Sequence, residues 1–174
     1  MIKYISLLRG INVGGRNIKM TELTNCYSSI GLSNISTYLQ SGNVTFYSKE
    51  DDIEELRIKL EFAVSIWFNY PAKVFVLNED KMKLILEKYP FKTENDLYQY
   101  YVIFTDGELN IDLYEQGSHL ITKLENISLG EGVVYWRVLK GMTVKSPFSK
   151  LLLKTQFKDF HTNRNINTLL KLLA

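Results

Sequence analysis

Residues 1–77 switch between two-residue and helical apolar periodicity in the order strand, helix, strand, strand, helix, strand, an order few small folds accommodate. Residues 2–9 form an apolar run rich in Ile, Leu and Tyr that reads as a strand. Leu23, Cys26, Tyr27 and Ile30 then fall at helical spacing, with Thr21 as the expected N-cap and Gly31 as the stop. Residues 35–39 and 44–47 are β-branched and aromatic, and Gln40, Ser41, Gly42 and Asn43 between them compose a hairpin turn. Asp51 and Asp52 open a long helix whose Ile53, Leu56, Leu60, Val64 and Trp67 make one apolar stripe. Residues 73–77 close this half as a strand. The order βαββαβ is the ferredoxin-like arrangement, an antiparallel sheet with two helices on one face.

The second half repeats the theme. Asn78 is placed to cap a helix carrying Met82, Leu84, Ile85 and Leu86, which Pro90 ends. Residues 97–104 read as a strand, 108–116 as a short helix, and 119–124 with 133–139 as a strand pair around Gly130, Glu131 and Gly132. Ser146 and Pro147 start a helix with Leu151, Leu152 and Phe157. A last helix is expected over 163–173, with Ile166, Leu169, Leu170 and Leu173 on one side. The expected fold class is therefore α+β, two ferredoxin-like subdomains over residues 1–77 and 78–174, each an antiparallel sheet packed with helices.

Composition narrows the function classes. Cys26 is the sole cysteine, which excludes an intrachain disulfide and a cysteine-rich zinc site. His119 and His161 have no ligand-spaced partner, so no metal site is expected. No apolar run is long enough for a signal peptide or a membrane span, and the expectation is a soluble, cytoplasmic chain without a membrane partner. The net charge of +2 hides a segregation. Residues 1–20 carry four cations and no acid, 137–174 carry eight cations against Asp159, and the segment between holds 9 basic and 18 acidic residues. Such asymmetry fits a phosphate- or nucleic-acid-binding face, and it equally fits two solvated surfaces.

Two segments concentrate hydrogen-bonding groups. Behind the first strand come Arg9, Gly10, Asn12, Gly14, Gly15, Arg16 and Asn17. Glycine lets a ligand approach the main chain, successive N–H groups can form an anion nest, and arginine matches carboxylate or phosphate. The segment has neither the Walker nor the dinucleotide spacing. A plain tight connection is the competing reading. Near the C-terminus, Thr162, Asn163, Arg164, Asn165 and Asn167 are expected to open the last helix, where an anion would be favoured; ordinary capping by Thr162 or Asn163 is the alternative. Arg9, Gly10, Asn12, Gly14, Gly15, Arg164 and Asn165 are the candidate ligand-binding residues. Ser41 as a nucleophile would need one of the two histidines as base, and the turn is the simpler reading. The Asp51, Asp52, Glu54, Glu55 run reads as a helix start, and Cys26 as a core residue.

These motifs carry a resemblance. Tyr4-Ile5-Ser6-Leu7-Leu8-Arg9-Gly10-Ile11-Asn12-Val13-Gly14-Gly15, Ile18-Lys19-Met20 and Thr37-Tyr38-Leu39-Gln40-Ser41-Gly42-Asn43-Val44 together resemble the bacterial family called domain of unknown function 1697. So do Tyr89-Pro90-Phe91 and the tail from Thr162 to Thr168. The resemblance implies an α+β fold of two similar subdomains and carries over no catalytic residue or cofactor. The chain departs from the family's pattern at Ile166, where tryptophan is usual, and at Asn78-Glu79-Asp80, where an arginine-threonine pair is usual. Three readings remain: a small anionic ligand held by the two polar segments, with or without a reaction; an RNA- or DNA-binding module; and a protein-interaction module.

Overall fold

The computed structural model describes residues 1–12, 17–93 and 95–174. The chain divides into two compact units, Met1–Lys83 with Leu170–Ala174, and Leu84–Leu169.

The first unit contains β1 (Ile2–Arg9), α1 (Met20–Ser29), β2 (Ser33–Tyr38), β3 (Asn43–Ser48), α2 (Ile53–Phe68) and β4 (Lys73–Asn78), which leads into α3 (Glu79–Glu87). Its sheet has the order β2-β3-β1-β4, antiparallel throughout. Alternation along β1 puts Tyr4, Ser6 and Leu8 on one face. There Tyr4 and Leu8 join Leu23, Tyr27, Phe46, Leu56, Leu60 and Val64 in one buried core. Tyr27 meets Phe46 edge-on at 5.6 Å, and its hydroxyl bonds Ser6 Oγ at 2.9 Å, so the phenol is buried with a partner. Ile5 and Leu7, on the opposite face of β1, are also fully buried.

The second unit runs β5 (Tyr98–Thr105), α4 (Leu109–Ser118), β6 (Glu125–Gly130), β7 (Val133–Leu139), α5 (Pro147–Leu152) and β8 (His161–Asn165), followed by α6 (Ile166–Leu173). The order β6-β7-β5-β8 repeats the first sheet strand for strand. Ile103, Leu113, Val134, Trp136, Phe148 and Leu151 make its core. The fold is thus α+β with two four-stranded antiparallel sheets, each in a ferredoxin-like βαββαβ unit.

Local details differ from the sequence expectations in four places. Helix α1 begins at Met20 behind Lys19, with no side-chain cap, and Thr21 lies inside it; burial of Leu23, Cys26 and Tyr27 sets its start. Residues 119–124 are not a strand. The tight turn at Glu131 and Gly132 pairs Gly130 with Val133 and runs out to Glu125 with Val138, so the strand must lie directly before the turn. The last helix starts at Ile166, because residues 161–165 are taken up as β8 by pairing with β5. Asn165, rather than Thr162 or Asn163, then accepts from the Asn167 N–H at 2.9 Å. Finally, only Leu56, Leu60 and Val64 of the α2 stripe are buried; Ile53 and Trp67 are partly exposed at its ends.

Candidate functional site

The sequence candidates fall into both units, Arg9, Gly10 and Asn12 in the first and Arg164 and Asn165 in the second. Gly14, Gly15 and Arg16 lie outside the described residues.

In the first unit, Gly10 and Asn12 both adopt left-handed backbone angles, φ 67° and 54°. The Asn12 side chain donates to the Gln40 carbonyl and accepts from the Ile18 N–H at 2.7 Å. It therefore ties Asn12 both to the β2–β3 turn and to the start of the segment that leads into α1. The turn docks from the other side: Leu8 N–H donates to Gly42 O at 2.9 Å. A Cβ at Gly42 would stand 2.7 Å from Leu8 Cβ and Ile11 Cδ1, and its φ is +70°, so glycine is required there on two counts. Arg9 sits opposite Lys73 on β4, two cations in register. Within the turn, Ser41 Oγ accepts from Asn43 Nδ2 at 2.8 Å.

In the second unit, β8 separates Arg164 from Asn165, since adjacent strand residues point to opposite faces. Arg164 is buried, donating to Thr162 Oγ1 at 2.6 Å and to the Asn163 carbonyl at 2.8 Å. Burial lowers its guanidinium to about 10, leaving it charged at neutral pH. It does not stand at a helix N-terminus as the sequence suggests. Asn165 instead opens into a polar cleft of about 260 Å³ at the start of β5, together with Asn167, Lys140, Tyr98, Gln99 and Tyr100. Thr93, Asn95 and Asp96 complete the lining.

The aromatic wall of this cleft is braced. Tyr89 packs edge-on against Phe91, Tyr100 and Tyr135 at 5.7, 6.4 and 5.3 Å, and its hydroxyl donates to the Trp136 carbonyl at 3.0 Å. Burial, the largest influence, raises the Tyr89 phenol well above its ordinary range. Arg137 lies over the rings of Tyr98 and Phe91, at 4.6 and 5.3 Å. The Tyr89-Pro90-Phe91 motif thus anchors both tyrosines of the wall.

The polar wall is one-sided in its chemistry. The Asn95 side-chain oxygen accepts from Leu97 N–H, and that of Asn165 from Asn167 N–H, both at 2.9 Å. Gln99 Oε1 accepts from the Thr143 hydroxyl at 2.5 Å. Because backbone N–H groups hold both asparagine oxygens, the orientation of those two amides is determined. Their amide N–H groups and the Lys140 ammonium line the cleft as donors. Asp96 is the one carboxylate among the described residues of the lining. Sequence reasoning found Asn165 here and missed Asn95, Gln99 and Lys140; the nearby Tyr89-Pro90-Phe91 motif was the one signal pointing to them.

Among the described residues, no cluster of three or more His, Cys, Asp or Glu side chains could hold a metal ion, and no helix is long and apolar enough to cross a membrane.

The fold has a counterpart among solved structures. The chain is similar to conserved bacterial protein SP0830 from Streptococcus pneumoniae, at 29% identity and a TM-score of 0.83, covering 98% of this chain and 96% of that one. No curated protein matches it. The sequence profile described as protein of unknown function (DUF1697) matches residues 1–135, which takes in the glycine-rich loop, the hairpin motif and the Tyr89-Pro90-Phe91 brace. The chain belongs to the DUF1697 family.

Proposed function

We propose that the protein is a cytoplasmic binding protein for a small, acceptor-rich ligand bearing a carboxylate or phosphate, held in the second-unit cleft. One observation carries this reading: the side-chain oxygens of Asn95, Gln99 and Asn165 each already accept an internal hydrogen bond, so their amide N–H groups and the Lys140 ammonium give the cleft a surplus of donors beside the Asp96 carboxylate. A donor-rich wall selects a ligand rich in acceptors, and Lys140 supplies the charge. The volume, about 260 Å³, suits one metabolite-sized group rather than a polymer. A sheet-face nucleic-acid platform has less support, because β1 buries Tyr4 and Leu8 on one face and Ile5 and Leu7 on the other. The single buried thiol of Cys26 suits a reducing compartment.

The test is a thermal-shift and calorimetric screen of carboxylates, sugar phosphates and nucleotides at two salt concentrations. Ligand at ~100 times its Kd stabilises the fold by about 2.7 kcal/mol. Asn165→Asp is the decisive variant, since the carboxylate still accepts from Asn167 N–H while the donors to the ligand are lost. Binding should disappear in Asn165→Asp and weaken in Lys140→Ala. A panel with no hit, or equal binding by Asn165→Asp, overturns the reading.

A further inference from the structure

A second cavity of about 180 Å³ lies in the same unit as the polar cleft. Its apolar lining comes from Trp136, Val144, Leu152 and Leu153. Thr143, His161 and Asn163 are polar members of the same wall. The His161 ring is held in place by Nδ1, which donates to the Phe157 carbonyl at 2.8 Å, since a carbonyl can only accept.

Two features join this cavity to the cleft. Thr143, in the wall of the second cavity, donates its hydroxyl to Oε1 of Gln99, in the wall of the cleft, at 2.5 Å. The two spaces therefore meet at a single contact between side chains. Strand β8 lines both of them. His161, Asn163 and Asn165 alternate onto one side of the strand, the first two at the apolar cavity and the third at the cleft. Asn163 and Asn165 are two residues apart on an extended strand, a distance of about 7 Å.

The chemistry is divided between the two spaces. Small-molecule sites take most of their contact from apolar walls and their orientation from a few polar groups. The cleft, with its amides, Lys140 and Asp96, provides the polar groups, and the indole and aliphatic side chains next to it provide the apolar wall. The second cavity holds a single ring or branched chain, too little for a peptide segment, so its occupant is the other end of a molecule seated in the cleft.

We infer that the two cavities form one bipartite site for an amphipathic acid. Its carboxylate or phosphate lies in the cleft, and an uncharged aromatic or branched aliphatic group fills the second cavity, about 7 Å away. This inference rests on the reading of the cleft as an anion site and adds the other half of the ligand.

Calorimetry and NMR of the full chain test it with butyrate, phenylbutyrate, butyl phosphate and phenylbutyl phosphate. For whichever head group binds, the phenyl member should bind ~10-fold or more tightly than its butyl partner, as burial of a ring requires, and should shift the Trp136 indole signal. Phenylacetate, too short to span the two spaces, should gain less over acetate. V144N and L153Q should bring the phenyl-to-butyl ratio towards one; both side chains are exposed, at 76% and 70%, so the circular dichroism should match the parent. Asn165→Asp should weaken both members of a pair. Butyl probes that bind and are lost in Asn165→Asp, with no gain from the phenyl group or a gain that survives both V144N and L153Q, overturn the bipartite site and leave the cleft reading standing. Phenyl probes that shift Trp136 equally in Asn165→Asp, with no binding of the butyl probes, overturn the cleft reading and the joined site with it. Silence from all four probes overturns the joined site, and an equal gain from phenylacetate overturns the spacing.

Discussion

The two units share a strand order but hold their second helices in different ways. Helix α2 spans 16 residues and supplies its own start: Asp52 Oδ1 accepts from the N–H groups of Glu54 and Glu55 at 2.8 and 3.0 Å. Its counterpart α5 has 6 residues, too few to be stable alone. Ser146 caps it through Ser149 N–H at 3.2 Å, and Glu125, fully buried on β6, reaches across to accept from Phe148 N–H at 3.0 Å. The other oxygen of Glu125 accepts from Trp136 Nε1 at 3.0 Å. One buried carboxyl thus joins the core tryptophan to the helix start. A long helix can be specified by its neighbours in sequence, whereas a short one needs a group brought from elsewhere in the fold.

The sharpest way to break this contrast is Glu125→Ala, which orphans two buried donors in the second unit. A loss of roughly 2–5 kcal/mol is expected from urea unfolding. Glu125→Gln, which keeps an acceptor oxygen, should lose less. The next test asks where the first unit depends on distant contacts. Gly42→Ala combines a left-handed φ with contacts at 2.7 Å and should cost about 2 kcal/mol by the same measurement. Asp52→Ala should cost only about 1 kcal/mol, the ordinary value of an N-cap; a loss matching that of Glu125→Ala would erase the distinction between the helices. The smallest effect concerns the start of α3. Glu79 pairs with Lys3 at 2.7 Å and Lys83 at 2.9 Å, and the bonds from Lys3 first and Lys83 second hold its carboxyl below the usual value of 4.5. Because the folded value is the lower one, this stabilisation is present above pH 4.5 and lost as pH falls through the folded value. Lys3→Ala should therefore lower the urea midpoint slightly at pH 7, and by progressively less as the pH falls below 4.5.

Cys26 gives a further readout of the first unit. Burial pushes its thiol up to about 11, so it should resist thiol reagents at pH 8 until denaturant opens the α1 core. Rapid labelling of the folded protein would contradict the packing of Leu23, Cys26 and Tyr27.

Local signals were enough for most of the framework. The βαββαβ order of the first unit, the hairpin around Gly42, the Ser146-Pro147 start and the Asn78 cap, where Oδ1 accepts from Lys81 N–H at 2.8 Å, all follow from neighbouring residues. The misreading of the last helix has a tertiary cause. Residues 161–165 have capping chemistry, yet β5 needed a partner on that edge, and the strand pairing prevailed. Asn165 was legible as a polar residue of interest, but not the contact of the Gln99 oxygen with the Thr143 hydroxyl, which lie 44 residues apart in the chain.

The sequence by itself determined the alternation of strands and helices, because periodicity and caps act over a few residues. The tertiary structure alone decided that residues 161–165 join β5 as a strand, and where Lys140, Asn95 and Asn165 come together. Those outcomes depend on contacts between residues far apart in the chain, which no local pattern records.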